Sequence, residues 1–256
     1  MLLRLDQLSL PRCADRMSSA GSIRFVVTND FHHEGPENDA WMEAAFKQIA
    51  TTEDADFCLG LGDLANSGKR ESLETMKRLS KHADMPFYPA PGNHDFDDAG
   101  DSTAYTEVFP NRFNYTFVQN GWQIVVIDST DGVVWDKSSI SDRTLAWLDA
   151  TIPTLDPHTP TILATHFPLA ADVTFAPINA EQVLTRFDSL NLRGVFCGHF
   201  HANTVRQRGD YEIVTCAGLG CVRANHDGTE GKGYLVCDGS PTGELKHRFV
   251  PFAGNA

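Results

Sequence analysis

Ile23-Arg24-Phe25-Val26-Val27-Thr28-Asn29-Asp30-Phe31-His32 sets the pattern for the whole chain: a β-branched and aromatic run that breaks into Asp-x-His. Such a run has the composition of a strand, and the polar residues after it fall where strand gives way to loop. The same arrangement recurs four times. Residues 56–61 end in Gly62-Asp63, and 86–90 lead through Pro91 into Gly92-Asn93-His94-Asp95. Residues 160–165 end in His166, and 194–197 end in Gly198-His199-Phe200-His201. Taken singly, each motif has an ordinary reading as a loop or a turn. Five of them in order at strand ends point to one site, because an open α/β sheet presents its ligands there.

The residue types say what such a site could hold. Asp30, His32, Asp63, Asn93, His166, His199 and His201 are two Asp, one Asn and four His. Imidazole nitrogens and carboxylate oxygens suit Zn, Fe, Mn, Ni or Co. No Cys stands among them, which argues against a closed structural zinc site. Seven donors exceed the needs of one tetrahedral ion and suffice for two ions sharing a carboxylate. Two metals about 3.5–4 Å apart can hold a hydroxide between them and clamp phosphoryl oxygens. Gly62, Gly92 and Gly198 each precede a motif residue, and glycine permits the positive φ or close approach of a sharp turn.

The order D-x-H, GD, GNHD, H, GHxH from Asp30 to His201 resembles the calcineurin-like metallophosphoesterase superfamily, and within it the branch of class III cyclic nucleotide phosphodiesterases. The resemblance implies a four-layer α/β/β/α sandwich of two mixed sheets flanked by helices. It implies that Asp30, His32, Asp63 and His201 hold a first metal, that Asp63 bridges, and that Asn93, His166 and His199 complete a second. His94 would face the scissile phosphate and Asp95 would orient His94. The expected reaction is phosphate ester hydrolysis: a hydroxide bridging two transition metal ions (Mn, Fe or Zn, divalent or mixed-valence) attacks phosphorus in line, with His94 assisting. A phosphodiester, including a cyclic nucleotide, is the first substrate choice. A phosphomonoester of a nucleotide, sugar or protein is the second. A binding scaffold that has lost catalysis would show eroded ligands or no histidine at 94, and all are present here. The related purple acid phosphatases carry a Tyr ligand three residues after the bridging Asp; Asn66 stands there, which argues against a tyrosinate-to-iron site.

Composition agrees with an enzyme domain. The chain has 256 residues, 41% hydrophobic and 21% charged, ample for one α/β domain over 23–256. Residues 1–22 lack periodicity and read as a loosely ordered extension. A formal charge of −13 disfavours nucleic acid as a partner, since binding phosphate backbones needs Lys and Arg. A small phosphorylated substrate can still bind, because metal ions add positive charge locally. The six cysteines show no disulfide framework and read as free thiols, favouring a reducing, cytoplasmic setting. No stretch is apolar and long enough for a membrane span, and the N-terminus lacks the apolar core of a signal peptide.

Helices are expected over 38–51, 69–82, 141–150 and 180–190, and a hairpin over 113–128 turning at Asn120-Gly121. The apolar residues of 109–117 and 249–252 read equally as core or as interface. His33 reads as an exposed loop histidine near the mouth, His226 as a turn residue, and Asp97, Asp98 and Asp101 as a solvated loop.

Overall fold

The computed structural model describes residues 21–52 and 54–254. Cys13 and the extension up to residue 20 lie outside them. Gly21 is held: its N–H donates to the Asn120 carbonyl at 2.6 Å, and its own carbonyl accepts from Trp122 Nε1.

Two mixed sheets form the centre. The first holds β1 (Ile23–Thr28), β2 (Phe57–Leu61) and β3 (Phe87–Ala90) in parallel, extended antiparallel by β10 (Lys232–Gly239) and β11 (Leu245–Phe252), in the order β11-β10-β1-β2-β3. The second has the order β4-β5-β6-β7-β9-β8. Its strands are β4 (Tyr115–Gln119), β5 (Trp122–Val126), β6 (Thr161–Ala164), β7 (Leu192–Cys197), β8 (Thr204–Arg208) and β9 (Tyr211–Thr215). Its four central strands are parallel, and antiparallel β4 and β8 close its edges.

Alternation along each strand sorts side chains into separate cores. Phe25 and Val27 of β1, Leu59 of β2, Ile124 of β5, Ile162 of β6 and Phe196 of β7 meet between the sheets. The intervening residues face outward: Val26 and Cys58 toward one helical layer, Val125, Leu163 and Val195 toward another. The first layer is α1 (Asp39–Ile49), α2 (Arg70–Leu79) and α3 (Thr103–Val108); the second is α4 (Asp142–Thr151) and α5 (Ala180–Leu184). Three cores between four layers make the α/β/β/α sandwich, and explain why the central strands read as unbroken apolar runs.

The differences from expectation have local causes. The last predicted helix ends as α5 at Leu184 and passes into a 3-10 turn, Thr185–Phe187, where the Thr185 hydroxyl donates to the Glu181 carbonyl and offers the backbone an alternative partner. The six-residue α3 has too little length for a periodic signal; Asp101 starts it by accepting from the Thr103 N–H at 2.8 Å. Phe109 and Phe252 are buried in the first outer core. Among the described residues no helix is long and apolar enough to cross a membrane.

Candidate metal centre

The motifs meet at the ends of β1, β2, β3, β6 and β7, and the candidate donor residues themselves carry the tight geometry. Asp30, His32, Asp63, His199 and His201 all have positive φ, between 45° and 62°. Non-glycine residues rarely hold this left-handed conformation, and it concentrates at functional sites. Of the preceding glycines only Gly62 shares it, at 80°. Gly92 serves close approach instead: a Cβ there would lie 2.2 Å from the Asp63 amide nitrogen and Oδ1.

Two buried donor groups share one residue. Asp30, His32, Asp63 and His201 form the first, and Asp63, His166 and His199 the second, with atoms of each group within 4.8 Å of one another. Asn93 joins the second group, its Oδ1 3.2 Å from His166 Nε2. The Asp63 carboxylate faces both ways: Oδ1 is 3.3 Å from His166 Nε2, and Oδ2 is 3.5 Å from His32 Nε2. Each group takes donors from both sheets, since Asp30, His32, Asp63 and Asn93 follow strands of the first, and His166, His199 and His201 strands of the second.

Hydrogen bonds around the cluster decide which atoms point into it. His166 Nδ1 donates to the Leu61 carbonyl at 2.8 Å, His199 Nε2 to that of Trp135 at 2.8 Å, and His201 Nδ1 to that of Ala224 at 3.0 Å. A carbonyl can only accept, so each ring keeps its hydrogen there and turns its other nitrogen inward. Asp30 Oδ2 accepts from the His199 N–H and from Asn29 Nδ2, while the buried Oδ1 has no hydrogen-bond partner. Bare His199 Nδ1 stands 3.2 Å from His166 Nε2, and His201 Nε2 stands 2.9 Å from Asp30 Oδ1. Lone pairs aimed at one another at such distances require a cation, so the donor set fits two metal ions.

The charges of the cluster depend on one another. Burial opposes ionisation of Asp30 and Asp63, yet His201 and His166 hold the first, and His166, His32 and His94 the second, well below the usual carboxylate range. With protons as the only cations, the histidines divide. Burial pushes His32 down to about 3 and, with His166, pushes His199 down to about 4. Against its burial, Asp63 and Asp30 carry His166 up to about 9, and Asp30 raises His201. One raised histidine falls in each donor group.

His94 sits beside the cluster, its ring 4.9 Å from that of His32. Its Nδ1 donates to the Asn66 carbonyl at 2.8 Å. Asp95 does not orient it, contrary to expectation. The Asp95 oxygens accept the Ala65 and Gly92 N–H groups, both at 2.9 Å, and so tie the loop after β2 to the loop after β3. Burial and the charge of Asp63 push Asp95 up to about 8, against those two bonds.

His33 is likewise corrected: it is 3% exposed, with Nε2 2.8 Å from Asp39 Oδ1, so it anchors the first loop to α1 instead of lying at the mouth. Asp97, Asp98 and Asp101 are exposed as expected and do not line the cleft; Asp97 Oδ1 caps its own turn through Ala99 and Asp101.

A cleft of about 520 Å³ opens over the cluster. Its walls include His94 and residues sequence reading passed over: Trp135, Phe175, Arg223 and Asn225, with His226. None has a local signal; three separate loops bring them together. A larger hollow of about 640 Å³ near Arg24, Asp56 and Asp238 holds none of the motif residues.

The chain is similar to known proteins in sequence and in fold. The chain is 30% identical over 163 residues to a 3′,5′-cyclic-nucleotide phosphodiesterase of Nostoc sp., covering 60% of this chain and 58% of that protein. It is 27% identical over 207 residues to the glycerophosphodiester phosphodiesterase GpdQ of Enterobacter lignolyticus, covering 74% and 70%. Among solved structures it is similar to purple acid phosphatase PPD1 of yellow lupin, with a TM-score of 0.66 over 91% of this chain and 52% of that one; at 13% identity the likeness speaks to fold alone. The family model for calcineurin-like phosphoesterases matches residues 23–203, which run from the first strand through the last of the five motifs, and the chain belongs to that family.

Proposed function

We propose that this chain hydrolyses phosphate esters in a metal-dependent reaction, that its substrates are small phosphodiesters, and that residues 23–256 act as one catalytic unit. The observation that carries this is the Asp63 carboxylate, whose two oxygens face two converging donor groups. Two transition metal ions (Mn, Fe or Zn) held there would activate a water and draw charge from the phosphoryl oxygens. Asp30, His32, Asp63 and His201 would hold one, and Asp63, Asn93, His166 and His199 the other.

The remaining work falls to the protein. Leu61, Trp135 and Ala224 fix the ligand tautomers through their carbonyls, so that each ring presents one nitrogen. Asn66 holds the Nδ1 hydrogen of His94, so Nε2 is the atom that faces the phosphoryl group and, when protonated, donates to it and gives its proton to the departing ester oxygen. The diester preference rests on the names of the two relatives. The five free cysteines among the described residues support a reducing compartment such as the cytoplasm.

The test is hydrolysis of bis-p-nitrophenyl phosphate against p-nitrophenyl phosphate with Mn²⁺, using Asp63→Ala as control. Faster turnover of the diester supports the proposal. Preference for the monoester moves the protein to the phosphatase reading, and no turnover with metals bound reduces it to a binding protein.

A further inference from the structure

The cleft beside the cluster has an aromatic wall that metal binding does not require. Trp135 is 59% exposed, beside the exposed Val133 and Val134. Its ring meets Phe175 edge to face at 5.6 Å, and Phe175 meets His226 at 5.1 Å. The wall touches the donor groups at both ends, through a hydrogen bond at one and a ring contact at the other. The Trp135 carbonyl holds His199, and the His226 ring lies 4.9 Å from His201. Phe175 reaches it only by taking a φ of 69°, a strained value for a residue with a Cβ.

An exposed indole over a polar cleft, beside a phenylalanine held under strain, is suited to a flat apolar ligand group. We propose that Trp135 and Phe175 are specificity-determining residues that bind a flat aromatic ring on the ester while the phosphoryl group sits over the donor cluster. This rests on the phosphodiesterase reading above and narrows its substrate class to diesters with an aromatic ester group. Aromatic walls also take quaternary ammonium groups. Here the Arg223 guanidinium lines the same cleft and disfavours a cationic ester group. Arg223 is itself held in place, its Nε and Nη2 both donating to Asn66 Oδ1.

The experiment compares p-nitrophenyl phenyl phosphate with p-nitrophenyl methyl phosphate on the Mn²⁺-loaded full chain. Both release the same p-nitrophenolate, so the ratio of their kcat/KM values, corrected by the ratio of their rates with free hydroxide, reports on the retained ester group. Wild type should favour the phenyl ester. Trp135→Ala and Phe175→Ala should each lower that ratio about three- to tenfold, mainly through KM and with metal content unchanged, and Trp135→Phe should restore most of it. A ratio identical in wild type and both alanine variants overturns the proposal, as does an equal loss on both esters. If wild type hydrolyses neither diester, it is the hydrolase reading that fails. The wall is then judged by calorimetric binding of phenyl phosphate against methyl phosphate, where equal affinity overturns it and a phenyl preference lost in Trp135→Ala supports it.

Discussion

The Nδ1 hydrogen of His94 is given to the main-chain carbonyl of Asn66 at 2.8 Å, so the ring presents Nε2 to the cleft. Asn66 is the third residue after Asp63, so the same short loop carries the shared carboxylate and sets the aim of His94. Replacing His94 with Ala removes the free nitrogen and leaves every donor in both groups intact. Turnover should fall by about 10²- to 10⁴-fold, the usual contribution of a positioned acid or base. Metal content, read by elemental analysis, should stay at the wild-type value. Loss of metal from this variant would show that His94 belongs to the donor set.

Asp63 and Gly92 form a second testable pair. Asp63→Ala removes a donor from both groups and should leave less than about 1% of wild-type activity with reduced metal content. Gly92→Ala should come close to the same result without touching a ligand, because its Cβ would lie 2.2 Å from both the Asp63 amide nitrogen and Oδ1. Normal metal loading of Gly92→Ala would mean that the two loops separate more easily than their packing indicates.

Chelation should uncover a pH dependence that metal loading hides. His166 rises to about 9, so the stability it contributes is complete below its unfolded value of about 6.5 and is lost as pH climbs through 9. His201 is raised and acts in the same direction. Asp95, carried up to about 8, also loses its contribution as pH rises. His32 and His199 are depressed and stay constant above about 6.5. The chelated protein should therefore melt at lower temperature at pH 9 than at pH 6.5, by calorimetry, and added Mn²⁺ should flatten the difference. A chelated protein equally stable at both pH values would contradict the assigned charges.

His33→Ala should cost stability more than chemistry. The variant leaves Asp39 without its 2.8 Å partner and a space behind the first loop, for about 1–3 kcal/mol in urea unfolding. Asp39 keeps its bond to Arg78. Metal content should stay near that of wild type.

The strands and their order of use were legible because Val26, Leu59 or Leu163 can sit only between apolar layers. The candidate donors were legible as a set because Asp, Asn and His recur at the ends of those strands, and the structure brings the seven side chains together. Local backbone geometry was not. Glycine was expected to supply positive φ or close approach, and Gly62 and Gly92 do, but Asp30, His32 and Asp63 also take left-handed φ, kept in place by the Gly62 and Asp63 carbonyls that accept from the first loop. Support was misjudged for a related reason. Asp95 follows His94 in sequence, but a tight 3-10 turn sends its carboxylate back to Gly92, and no spacing rule shows that. The cleft wall lay furthest from view, since Trp135, Phe175 and His226 become neighbours only through the fold.

Because each donor group draws on both sheets, two bound ions would rivet the sandwich along one edge and leave its opposite edge fastened by packing and by hydrogen bonds such as those of Gly21 to Asn120 and Trp122. Cross-links of this kind resist separation in the way a disulfide does, although a chelator can undo them. The loaded protein should then exchange amide hydrogens slowly around Asn29, Leu61 and Cys197 while the far ends of the same strands continue to breathe. Mechanical and proteolytic durability would thus be set by the supply of metal, and a cell short of it would hold a looser molecule with the same fold.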